Sequence, residues 1–116
     1  MTNPLDDFNS ERARQNEIVM QYAGQTIKRF WNLDGQAYRE GALPVKTKEL
    51  IGLVASLVLR CDDCVKYHLG RCAESGVSDA ELEEALAIGL IVGGSITIPH
   101  LRRAFELWDA LRSQGA

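Results

Sequence analysis

The stretch Glu49–His68, ELIGLVASLVLRCDDCVKYH, decides how this chain folds. Its first part, Leu50 to Leu59, is apolar nearly all round a helix, and such a helix belongs at the centre of a bundle. Pro44 to Lys48 leads into it, with Thr47 a possible N-cap and Leu50-Ile51 the first buried pair. Its second part opens a further helix, predicted from about Asp62 to Glu74 and ended by Ser75-Gly76. Two cysteines, Cys61 and Cys64, therefore stand at a helix start. There the first-turn N–H groups and the helix dipole favour a thiolate. Cys64 and His68, at i and i+4, share one face of that helix. This places an acid or base one turn from a potential nucleophile.

Outward from this stretch the pattern stays helical. Downstream, Ser78 with Glu81 three residues later forms a capping box for a helix carrying Leu82, Ala85, Leu86, Ile88, Gly89, Val92 and Gly93. Gly94 to Thr97 breaks the pattern, and Pro99 suits the first turn of a last helix bearing Leu101, Ala104, Phe105, Trp108 and Leu111. Upstream, Asn9-Ser10-Glu11 opens a first helix that Gly24 interrupts. Ile27, Phe30 and Trp31 continue an amphipathic pattern towards Asp34-Gly35, and Gln36 to Glu40 reads as a short helical turn closed by Gly41. No convincing period-two run is present, so the expected class is all-α, with about five to six helices.

Bulk properties narrow the function. A length of 116 residues suits one domain over 1–116, with 1–37 a helical extension within it. Hydrophobic residues make up 46% of the chain, enough for a modest core. A formal net charge of −3 argues against a nucleic-acid or anionic-membrane partner. No apolar run reaches the roughly 18 residues that span a bilayer. Met1 to Asp7 lacks the features of a secretory signal, so a cytoplasmic location is expected. Three cysteines are no secreted disulfide framework; at this spacing they read as catalytic or metal-binding.

Several residues carry competing readings. Glu49 alone is a charge favourable to a helix N-terminus. An unbroken helix would set it roughly 18 Å from Cys61 along the axis. Contact then requires the next helix to cross back or another subunit to intervene. Cys72 extends the Cys64–His68 stripe and invites a zinc site. However, Cys64 and Cys72 differ by about 12 Å in rise, whereas thiolates on one zinc lie about 4 Å apart. Cys72 is better read as a packed thiol. Gly93-Gly94 lacks the lysine of a phosphate loop and suits a helix end. His100, beside Arg102 and Arg103, is either a solvated or interface residue or a second polar group in the thiol pocket. Phe30, Trp31, Phe105 and Trp108 are expected to anchor the core or a subunit interface. No metal, flavin or nucleotide motif is visible, so no cofactor is expected.

Glu49, eleven residues, Cys61-x-x-Cys64, three residues and His68 together resemble the active-site signature of the alkylhydroperoxidase D branch of the carboxymuconolactone decarboxylase superfamily. The following Gly76 to Leu86 is similar to that family's second stretch, and the resemblance covers about residues 38–113. It implies an all-α domain assembled as a homotrimer or homohexamer. It also implies thiol chemistry on a peroxide or a partner disulfide, with an external dithiol as reductant. Cys64 would attack, Cys61 would resolve, and Glu49 with His68 would relay the proton. One position departs from the pattern. Asp63 stands where the peroxidase branch often has histidine, and its charge should raise the Cys64 pKa. Two other classes compete: a lactone decarboxylase, which would not need the cysteine pair, and a non-enzymatic helical assembly with vestigial cysteines.

Overall fold

The computed structural model describes residues 3–115, with side chains through residue 113. Six helices follow one another: α1 (Asp6–Tyr22), α2 (Gln25–Ala37), α3 (Val45–Val58), α4 (Asp62–Glu74), α5 (Asp79–Gly93) and α6 (Ile98–Gly115). A 3-10 turn, Ser95–Thr97, joins the last two. No strand occurs among the described residues, and the fold is all-α. None of the described helices is long and apolar enough to cross a membrane.

Helix α3 is the central element, packed on both α4 and α5. Leu53 and Leu57 of α3 are fully buried against Val65, Leu69 and Cys72 of α4, Leu82 and Leu86 of α5, and Ala104 and Trp108 of α6. The core is therefore the product of α3–α6. Helices α1 and α2 contain no buried residue.

Helix boundaries follow local chemistry. The capping box of α5 is formed: Ser78 Oγ accepts the Glu81 N–H at 3.1 Å, and Glu81 Oε1 accepts the Ser78 N–H at 2.9 Å. Helix α1 starts three residues before the expected Asn9. Asn3 Oδ1 accepts the Leu5 N–H, and Asp6 Oδ2 accepts the Asn3 N–H, so a polar turn at 3–6 sets the start. Helix α3 starts at Val45, with Pro44 in the cap position and its carbonyl taking the Lys48 N–H; Thr47 lies inside the first turn.

One burial expectation is corrected. Ile51, read as half of the first buried pair, is 53% exposed, whereas its neighbour Glu49 is 1% exposed. The buried stripe of α3 runs through Glu49, Leu53, Ser56 and Leu57, which leaves Ile51 on the opposite face. Of the four aromatic anchors, Trp108 enters the core and donates from Nε1 to Asp79 Oδ1 at 2.8 Å. Phe30, Trp31 and Phe105 stay exposed.

Candidate active site

The turn between α3 and α4 builds the thiol end of the site. Helix α3 ends in a Schellman motif: Cys61 N–H bonds to Ser56 O at 3.1 Å and Arg60 N–H to Leu57 O at 2.9 Å. Arg60, not glycine, occupies the left-handed position, with φ 59°. Cys61 then becomes the N-cap of α4, its Sγ accepting the Cys64 N–H at 3.3 Å. Cys64 is exposed and Cys61 half-buried.

After this turn α4 doubles back along α3, which brings His68, though not the cysteines themselves, to Glu49 within a single chain. Seven residues past Cys61, His68 places Nδ1 2.8 Å from Glu49 Oε1. Both residues are buried, and Arg71 Nε approaches the other carboxylate oxygen at 3.5 Å. Every buried side-chain nitrogen or oxygen among the described residues has a hydrogen-bond partner. Burying the Glu49 carboxylate is weak as a stabilising device, since desolvation offsets most of the attraction to its partners. A buried carboxylate held on an imidazole is the arrangement that orients a base.

The outer face of His68 meets two tyrosines. Tyr67 packs edge-on at 5.1 Å between centroids. Tyr38, from the C-cap of α2, stacks obliquely at 5.4 Å and brings its hydroxyl to 3.4 Å from Nε2. Sequence reasoning missed Tyr38 because nothing in its spacing ties it to His68, 30 positions away. Gly52 makes the approach possible: a Cβ there would lie 2.7 Å from the Tyr38 hydroxyl and 2.8 Å from His68 Cε1.

Cys64 and His68 open on one cleft of about 710 Å³, walled by Asp63 and Tyr67 of α4 and by Phe8 and Arg12 of α1. Arg12 lies over the Tyr67 ring at 4.2 Å. The Cys64 thiol is pushed up to about 11 from 9.0, first by its hydrogen bond with Cys61, then by burial and by the charges of Cys61 and Asp63. The expected lowering by the helix start is thus outweighed, although the backbone hydrogen bond at Cys64 does act in that direction. Cys72 is fully buried, and burial, with Glu49 adding to it, takes its thiol to about 12.

His100 belongs elsewhere. It lines a separate groove of about 380 Å³ between α4 and α6, with Nδ1 2.8 Å from Asp62 Oδ1. Arg103 Nε joins the same carboxylate at 3.1 Å. The His100 hydrogen bond, and then the charge of Arg103, hold the Asp62 carboxyl below its usual range.

Fold and site together define an all-helical protein with a dithiol at one helix start and a buried Glu–His pair behind it. The carboxymuconolactone decarboxylase family profile matches residues 25–107, and the chain belongs to that family. A Thermotoga maritima protein of the family has a crystal structure 56% identical in sequence, covering 95% of this chain and 93% of that one, with TM-score 0.89. It is described with a suggested part in antioxidative response. The apo form of a Legionella pneumophila family member shares the fold, with TM-score 0.78 at 24% identity over 97% of each chain. An uncharacterized Cupriavidus necator protein is 29% identical over 97% of this chain and its own full length.

Proposed function

We propose that this protein is a thiol oxidoreductase of the alkylhydroperoxidase D type. The observation that carries the reading is the buried Glu49–His68 pair, 2.8 Å apart, opening on the cleft that holds Cys64. A thiol raised to about 11 is protonated at neutral pH, so it needs a base during attack. His68, oriented by Glu49, takes that role. Cys64 sulfur attacks the distal oxygen of a hydroperoxide, the O–O bond breaks, and Cys64 becomes a sulfenic acid while the alkoxide leaves with the proton from His68. Cys61 sulfur then attacks Cys64 sulfur. Water leaves, a Cys61–Cys64 disulfide remains, and an external dithiol reduces it. With a partner disulfide in place of peroxide, the first product is a mixed disulfide, which Cys61 resolves in the same way.

Exposed apolar side chains favour self-association. Ile88, Ile91 and Val92 of α5 are 60–81% exposed, and Phe30, Trp31 and Leu33 of α2 are exposed as well. Surface of this kind usually marks an interface, and closed symmetry, a trimer or a dimer of trimers, suits it.

Mass spectrometry with differential alkylation after mild peroxide treatment tests the dithiol reading. A reversible Cys61–Cys64 disulfide with Cys72 still reduced is expected. Loss of Cys72 first, or no pairing, refutes it.

A further inference from the structure

The dithiol cycle leaves Tyr38 without a role, yet the molecule holds it in place from two sides. Lys48 of α3 donates from Nζ to the carbonyl of Ala37 at 2.9 Å and to that of Arg39, the residues on either side of Tyr38. Gly52 leaves the space in which the phenol hydroxyl and the imidazole meet over α3; a Cβ there would collide with both. Both devices come from the helix that carries Glu49.

The proton inventory of His68 follows from its partners. Glu49 Oε1 faces Nδ1 at 2.8 Å, and a carboxylate oxygen accepts, so Nδ1 carries the hydrogen. In the neutral ring Nε2 is then a lone-pair acceptor. Facing it at 3.4 Å is the Tyr38 hydroxyl, a long contact of the kind that tightens once a reacting group arrives. Burial, with Glu49, Asp34, Tyr67 and Cys64 around it, raises the phenol above its ordinary value, so it is present as O–H and can donate.

We propose that Tyr38 is a positioning residue for His68: its hydroxyl, fixed by Lys48 and Gly52, holds Nε2 as the acceptor and aims the ring for proton uptake. This rests on the dithiol reading for its catalytic consequence, but the tautomer it requires is independent of turnover. Nε2 has one lone pair, so to take the Cys64 proton it first releases the Tyr38 hydroxyl, which turns and then accepts from the new Nε2–H; no atom is gained or lost by Tyr38.

Nitrogen-15 NMR of the His68 ring in the full chain is the primary test. The wild type should show the Nδ1–H tautomer with an unprotonated, hydrogen-bonded Nε2. Tyr38→Phe, which keeps the ring stack, should shift the Nε2 signal towards that of a free acceptor and mix the tautomers. Lys48→Met, remote from the imidazole, should do so in part. If the wild type carries Nε2–H, or if Nε2 is unmoved in Tyr38→Phe, the assignment is overturned. Under the dithiol reading, Tyr38→Phe should also lower kcat about 2–10-fold with KM unchanged, the range for one net hydrogen bond. A wild-type kcat in Tyr38→Phe overturns the catalytic part. Absence of any Cys61–Cys64 disulfide in the wild type refutes the dithiol reading instead, and the nitrogen spectrum still judges Tyr38.

Discussion

Helices α3–α6 and helices α1–α2 are built to different rules. The first group encloses fully buried Leu53, Leu57, Leu69, Leu82 and Leu86, and it also buries the Glu49–His68 pair. The second group buries nothing, yet carries Tyr22, Phe30 and Leu33 at 63–85% exposure. Its contribution to the site comes from its edges: α1 walls the cleft, and Tyr38 reaches His68 from the end of α2. The packed half supplies a rigid, desolvated place to hold a carboxylate on an imidazole. The open half supplies apolar surface, which a single copy of the chain leaves in water.

The largest contrast should appear in activity. His68→Ala and Glu49→Gln should each reduce turnover by about 10²–10⁴-fold, the range for losing general acid–base help. The double variant should be little worse than either, because one loss already disables a relay. Steady-state kinetics with a hydroperoxide and a dithiol would show this, and fully multiplicative losses would separate the two residues. Replacing Phe30 should change turnover only through assembly.

Stability should divide the same way. Leu57→Ala empties a fully buried position and should cost about 2–5 kcal/mol in chemical denaturation. Phe30→Ala should cost the isolated chain under about 0.5 kcal/mol, as exposed sites usually do. Its effect belongs in light scattering: Phe30→Asp should shift any assembly towards monomer. A wild type that is monomeric at micromolar concentration and fully active would remove the interface argument.

A smaller effect lies in the charge around the thiol. A thiol raised on folding ionises later, so Cys64 alkylation should keep climbing with pH up to about 11 instead of levelling near 9.0. Asp63→Asn removes one of the raising charges and should move the midpoint down. An unchanged rate–pH profile would show that Asp63 does not act on Cys64. Smallest is the turn itself. Arg60→Gly should stabilise the chain by up to about 1 kcal/mol, since only glycine takes φ 59° without steric cost. The matching turn after α4 already has Gly76 there, at φ 79°.

Sequence alone determined most of the helices and the dithiol's address, although the separate turn expected over Gln36 to Glu40 is instead the end of α2, which runs through Gly35 to Ala37. Helix periodicity, the Ser78–Glu81 box and the Ser75-Gly76 stop are local signals, because caps and turns satisfy backbone groups within a few residues. The predicted α4, Asp62 to Glu74, agrees with the observed helix for that reason. The Glu–Cys–Cys–His spacing pointed to the family without any coordinates. Only the tertiary structure decided that Glu49 meets His68 within one chain: the roughly 18 Å of helix between Glu49 and Cys61 stays, and α4 folds back along it to bring His68 to Glu49. It likewise decided that Ile51 faces out while Glu49 faces in. Apolar residues on all sides of a helix do not say which side a neighbour will cover. Tyr38 was beyond the sequence altogether: a contact across 30 residues, made through the space left by one glycine, has no periodicity to betray it.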